Sequence, residues 1–155
     1  MRRTTRTLVV LPVLVALMLT IAPLPAWAVC AVTDAGAIPG LAIDQNASGT
    51  KVSGPLSLFY QNLQPEPTVE CPLGEGNITV VLRLRKGNDE RVFGTGPIPN
   101  VCFTDFATIA QVIQGLVDAE VPLAFGFTDA TVKSVTDFIF NAENAVSMDI
   151  ELALR

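Results

Sequence analysis

Two stretches of the chain alternate apolar and polar residues cleanly enough to read as half-buried strands. From 78 to 85, Ile78, Val80, Leu82 and Leu84 share one side, with Thr79, Val81, Arg83 and Arg85 on the other. From 146 to 154, Val146, Met148, Ile150, Leu152 and Leu154 alternate with Ser147, Asp149, Glu151 and Ala153. A third strand is expected over 55–60, where Leu56, Leu58 and Tyr60 alternate with Ser57 and Phe59. Lys86-Gly87-Asn88-Asp89-Glu90 carries turn chemistry, so Arg91-Val92-Phe93 is expected to return beside the 78–85 strand in a hairpin centred near Asn88. Gln64-Pro65-Glu66-Pro67 and the Gly/Pro-rich residues 94–100 read as connections.

Helical spacing begins after Thr104 and Asp105, both good N-caps. Ile109, Val112, Ile113, Leu116 and Val117 form one apolar stripe, opposite Thr108, Gln111, Gln114 and Asp118, which predicts a helix over 104–118. Pro122 reads as its stop, and the apolar, Phe-rich residues 121–127 as a buried strand. The segment near 130–140 fits two periods. Val132, Val135 and Ile139 suit a second short helix, whereas Phe138-Ile139-Phe140 suits a strand end. Phe127-Thr128-Asp129 repeats Phe103-Thr104-Asp105, a faint hint of a βα repeat. Together these elements predict an α+β fold: a largely antiparallel sheet with one amphipathic helix packed on one face. A β-sandwich with an inserted helix is the alternative. Arg83 and Arg85 would face Asp149 and Glu151 if the two clearest strands were neighbours.

The N-terminus changes the picture of what is left to fold. Arg2, Arg3 and Arg6 precede an apolar run from 8 to 21, followed by Pro23, Pro25 and the small-x-small exit Ala26-Trp27-Ala28. This order predicts a signal peptide over 1–28, cleaved between Ala28 and Val29. The run is too short for a membrane-spanning helix, which needs about 20 residues. Arg2-Arg3 lacks the apolar residues that follow a twin-arginine signal, and Trp27 and Val29 before Cys30 do not suit a lipidated cysteine. Residues 29–54 then read as an extended arm or loops, and 55–155 as a single domain. The protein is expected to be exported, either secreted or periplasmic, with no stable membrane span after cleavage.

Export gives meaning to three cysteines, Cys30, Cys71 and Cys102. In an oxidising compartment two of them should pair. Cys71 and Cys102 bracket the expected hairpin at similar distances, which favours a Cys71–Cys102 disulfide. Cys30 would then be free or would link two chains as a dimer; Cys30–Cys71 and Cys30–Cys102 bonds are the alternatives.

Past residue 28 the chain keeps seven basic and fifteen acidic residues, a net charge of −8. Such a balance argues against nucleic-acid binding, because a phosphate backbone is met by cations. Arg83-Leu84-Arg85-Lys86 is the densest basic run and reads as the solvated side of a strand. The chain has no histidine, which excludes Ser-His-Asp and Cys-His catalysis and histidine-based metal sites. Gly74-Glu75-Gly76 and Gly94-Thr95-Gly96 lack the residues of a phosphate loop. Asp44, Asn46 and Ser48, with Gly49 sixth, resemble the start of a calcium loop, but Pro55 stands at its twelfth position. An Asx-turn is the simpler reading. Neither a cofactor nor a catalytic residue is expected; a carboxylate-based hydrolase is the enzymatic alternative, but no spacing among the fifteen acidic residues selects a catalytic pair.

These properties favour an exported, non-enzymatic binding or surface-interaction protein whose partner, a protein or a small molecule, is undefined. Its surface would include an exposed patch at Phe59, Tyr60 or Phe93. Two further readings stand beside it. One is a carrier of an apolar small molecule, with Phe103, Phe106, Phe125, Phe127, Phe138 and Phe140 lining a cavity. The other is a structural subunit whose arm pairs with a neighbour's sheet edge.

Overall fold

A computed structural model describes residues 38–155 apart from 65 and 142–144. The expected signal peptide, its cleavage site at Ala28 and Val29, and Cys30 lie outside the described residues. The chain forms β1 (Thr50–Gln64), β2 (Glu75–Lys86), β3 (Asp89–Gly94), β4 (Ile98–Cys102), α1 (Phe106–Phe125), β5 (Ala130–Asn141) and β6 (Ala145–Leu154). The strands make one antiparallel sheet in the order β3-β2-β1-β6-β5, with β4 also pairing with β2, before the stretch that holds β3. This is the expected α+β arrangement of an antiparallel sheet and one helix.

Period-2 alternation sets the two sides of the sheet. Val52, Leu56, Leu58 and Tyr60 of β1, Ile78 to Leu84 at even positions of β2, and Val146 to Leu154 at even positions of β6 are buried in one core. Ile109, Ile113, Leu116, Val117, Val121 and Phe125 of α1 join the same core. The helix stripe is therefore paired with the inward row of the sheet, and both lose their apolar surface to water together. The expected hairpin is present and its loop is two residues long: Lys86 pairs with Asp89, and Gly87 takes φ +60°, the positive value that the first position of a II′ turn demands.

Asp105 caps α1 as its sequence suggested. Its carboxylate accepts hydrogen bonds from the Thr108 amide (3.0 Å) and the Thr108 hydroxyl (2.6 Å). The Thr108 hydroxyl, then the Thr108 amide, hold the Asp105 pKa below its ordinary value. A carboxyl lowered on folding contributes stability above its unfolded pKa and loses it as pH falls through the folded value. Asp105→Ala is accordingly expected to cost about 1 kcal/mol near neutral pH. That difference should shrink in acid below the ordinary value of 3.8. Urea titrations of both proteins at the two pH values test this; a pH-independent difference would refute the capping account.

The helix runs further than 118, and residues 121–127 are not a strand. Val121, Pro122 and Phe125 face the core as the last turn of α1, while Leu123 is exposed. Termination comes at Gly126, in the left-handed conformation at φ +77°. Its N–H donates to the Leu123 carbonyl (3.2 Å), and the Phe127 N–H donates to the Pro122 carbonyl (2.8 Å). This pair of bonds is a Schellman closure.

Residues 130–141 form strand β5, not a second helix, so the two Phe-Thr-Asp segments precede different elements and there is no βα repeat. Residues 98–100, expected within the 94–100 connection, belong to strand β4. The expected domain boundary at 54/55 falls inside β1, and the arm is partly core: Ile38, Leu41 and Ala47 are buried. Ile43 makes a parallel bridge to Val132 on the edge of β5, and the Asp44 N–H donates to the Val132 carbonyl (2.9 Å).

The register expectation for the charged rows is also corrected. β1 lies between β2 and β6, so Ser53 faces Arg85 on one side and Glu151 on the other. Arg83 and Arg85 turn instead to Glu90 of β3, and Glu151 is held by Lys51 of β1 (3.6 Å) and Lys133 of β5 (3.1 Å).

Candidate functional site

Because α1 covers one side of the sheet, the opposite side carries the outward row of every strand. On β1 that row is Lys51, Ser53, Pro55, Ser57, Phe59 and Gln61. Phe59 is 41% exposed and Ile139 of β5 is 44% exposed, large values for such apolar side chains. Phe59 pairs with Ala145 and Ile139 with Ser147, while Ser57 stands between Val81 and Ser147. Phe59, Val81, Ala145 and Ile139 thus lie on one open surface with small polar residues among them. Ala145 points outward yet is buried, tucked beside Phe59 in that row.

Of the three aromatic residues expected at an exposed patch, only Phe59 is there. Tyr60 and Phe93 point into the core and are 5% and 8% exposed. Parity explains this: Tyr60 continues the Leu56, Leu58 row, and Phe93 pairs with inward Leu82. The Tyr60 ring packs against Phe103, with centroids 4.9 Å apart. Burial, with a further push from the charge of Asp105, raises the Tyr60 phenol far above its usual range.

The phenylalanines proposed to line a cavity are packing residues. Phe125 and Phe138 are core members, and Phe103, Phe106 and Phe127 are partly buried against the same core. Phe125 also meets Phe93 at 6.2 Å between centroids, and Lys86 Nζ sits 4.5 Å from the Phe127 ring centre. The Phe140 side chain lies outside the described residues.

At the other end of the outer side, the β2–β3 hairpin and β1 enclose an open recess of about 620 Å³ lined by Ser53, Gly54, Pro55, Arg83, Arg85, Gly87 and Glu90. The Glu90 carboxylate accepts from Arg85 Nη2 at 2.7 Å and from Arg83 Nη1 at 3.3 Å. The Arg85 hydrogen bond is the main cause holding Glu90 below the ordinary carboxylate pKa. Farther along the hairpin, Arg91 donates from Nε and Nη2 to the Asp89 carboxylate.

Cys71 and Cys102 form the expected disulfide, with Cα atoms 5.3 Å apart. It ties the β1–β2 connection to the end of β4. Thr68 shapes this connection: its hydroxyl accepts from the Cys71 N–H at 2.8 Å, and its own N–H donates to the Cys71 carbonyl at 3.2 Å. Val69 and Leu73 are exposed on it. Glu75 lies near both sulfurs, but these sulfurs are bonded to each other and present no thiolate pair for a metal.

The segment with Asp44, Asn46 and Ser48 is an Asx-turn: Asp44 Oδ1 accepts from the Asn46 N–H at 3.0 Å. Arg155 further occupies this corner, with Nη2 3.7 Å from Asp44 Oδ2 and Nε donating to the Ser48 carbonyl at 3.1 Å. The guanidinium thus supplies the positive charge that a calcium ion would bring. Among the described residues no helix is long and apolar enough to cross a membrane. Comparison with protein-family models, curated proteins and solved structures finds no match to this chain.

Proposed function

We propose that this is an exported, non-enzymatic binding or surface-interaction protein that engages its partner through the open side of the sheet. One observation carries this reading. Among the described residues the helix covers a single side of the sheet, while the other exposes Phe59 and Ile139 among small polar residues. An exposed apolar surface with polar neighbours is what a docking partner removes from water. The disulfide supports export, because such bonds persist in oxidising compartments. The absence of histidine supports a role in recognition over acid-base catalysis.

The carrier reading is weakened, since Phe125 and Phe138 are core members and Phe103, Phe106 and Phe127 pack against the same core. The subunit reading is weakened at the arm, whose residues from Ile38 onward pack on their own domain.

Site-directed photo-crosslinking of the protein expressed in its own host tests the proposal. A crosslinker at position 59 is expected to trap a discrete adduct, whereas one at Ala119, on the exposed side of α1, traps none. Phe59→Ser combined with Ile139→Ser should abolish an adduct formed from the neighbouring position 57. Identical adducts from positions 59 and 119, or survival of the adduct in the double variant, would overturn the proposal.

A further inference from the structure

We infer that the recess between the β2–β3 hairpin and β1 binds a phosphate oxyanion through Arg83 and Arg85. This inference does not depend on the Phe59 surface, which lies farther along the sheet.

Charge placement is the first argument. Of the seven cations beyond residue 28, four fall between 83 and 91, namely Arg83, Arg85, Lys86 and Arg91. Asp89 and Glu90 are the two carboxylates of that stretch, so it is locally cationic in a chain of net charge −8. Lys86 and Arg91 leave the helix side of the hairpin, Lys86 over the Phe127 ring and Arg91 on Asp89, so the recess takes its positive charge from Arg83 and Arg85, which exceed Glu90 by one unit.

Donor geometry is the second. Arg83 and Arg85 are two residues apart on β2, so both leave the same side of the sheet about 6.6 Å apart along the strand. Both then reach sideways to Glu90, which draws their head groups together. Each guanidinium has five N–H donors, and Glu90 takes one from each, leaving four on each. The pair keeps one net positive charge after Glu90 is counted. Planar guanidinium forks match the oxygens of phosphate, and bridging two of them is the arrangement that gives charge-assisted bonds with directionality.

The third argument is the floor. Ser53 faces Arg85 from β1. With Gly54 and Pro55 beside it, the wall opposite the arginines carries no long side chain, and Gly87 leaves the turn end clear. The recess is therefore open beside the two guanidiniums, and Ser53 adds a hydroxyl donor to its lining. Glu90 has a defined part: it pre-orders the two arginines and competes with the incoming anion.

This competition gives the test its sign. Backbone and Arg side-chain NMR shifts are followed while inorganic phosphate is added at constant ionic strength, with chloride as the balancing anion. Saturable shifts are expected at Ser53, Arg83, Arg85 and Gly87. Arg83→Gln with Arg85→Gln should weaken binding at least about tenfold, the loss of one charge-assisted contact or more. Glu90→Gln should strengthen it several-fold. A second arm uses co-sedimentation with phosphatidylglycerol and phosphatidylcholine vesicles. Retention by the former alone, lost in the double arginine variant, assigns the phosphate to a lipid headgroup; a phosphate response without retention assigns it to a soluble ligand. The inference is overturned if phosphate causes no shift beyond chloride, if shifts persist in the arginine variant, or if Glu90→Gln weakens binding. All substitutions lie on exposed side chains, so folding is checked by the unchanged remainder of each spectrum.

Discussion

Replacing Gly54 with alanine, the smallest possible addition, is expected to destabilise the protein by at least about 2–3 kcal/mol. Gly54 lies in the middle of the sheet, paired with Ile150 of β6. A Cβ there would collide with the Arg83 carbonyl oxygen and crowd its carbonyl carbon. These are backbone atoms of the adjoining strand, so no side-chain rotation relieves the clash. β1 and β2 would have to separate where both are committed to pairing, and the inward residues Leu56, Leu82 and Leu84 would lose packing with them. Gly115 supplies the control. It sits on an exposed part of α1, and a Cβ there has nothing within 4 Å. Gly115→Ala should stabilise the protein by up to about 1 kcal/mol, because alanine favours a helix where glycine does not. Urea midpoints of the two variants should therefore move in opposite directions. A Gly54→Ala protein as stable as the parent would show that the two strands do not approach so closely.

The second large effect is expected from removing the disulfide with Cys71→Ser and Cys102→Ser together. The bond spans 31 residues of sequence, and a closed loop of that size contributes about 3–4 kcal/mol by restricting the unfolded chain. The structure adds a local consequence. β4 pairs with β2 only at Glu75, Gly76 and Ile78, contains Pro99, and is interrupted where Asn100 takes φ +58°. It is the least anchored strand, and Cys102 is its last residue. Hydrogen exchange at Val101 and Cys102 should thus accelerate in the variant far more than at the centre of β2, ahead of global unfolding. Equal acceleration everywhere would mean that the bond acts on the unfolded chain alone; unchanged stability would refute both parts.

How much of this was legible in the residues differs between elements for physical reasons. Strands β2 and β6 declare themselves because they pair regularly and bury one side only. β5 misleads because its register shifts between Val132 and Ser134 and again between Thr136 and Ile139. Each shift inserts one residue, and Asp137 takes φ +54° within the second. Two insertions convert a period of two into burial at Val132, Val135 and Phe138, a spacing of three that imitates a helix. The end of α1 was obscured by Pro122, which removes a single backbone bond in the last turn while its ring is buried in the core. The signal for the true end was Gly126 followed by Phe127. β4 carried no alternation at all.

At the candidate sites, the Cys71–Cys102 pairing and the Asx-turn at Asp44 followed from local chemistry. The Glu90 partnership of Arg83 and Arg85 could have been found, because a turn at Gly87-Asn88 places Glu90 opposite Arg85. It was missed because charge complementarity with the distant acidic strand looked equally good. The exposure of Phe59 and the burial of Tyr60 were both implicit in the row they occupy on β1. The openness of the outer side was not, since nothing in an alternating strand says whether a second layer covers its polar row.

The placement of β6 beside β1 has a consequence in time. Thr50 pairs with Leu154, across about 100 residues of chain, so the central strand lacks one neighbour until β6 has been synthesised. Among the described residues β6 is the one strand that pairs with β5, and the helix core depends on both. Contacts this distant in sequence make folding slow and late. A nascent chain threaded through a translocation pore must stay unfolded until it has passed. If the chain is exported as proposed, the order of its strands would itself postpone folding during passage.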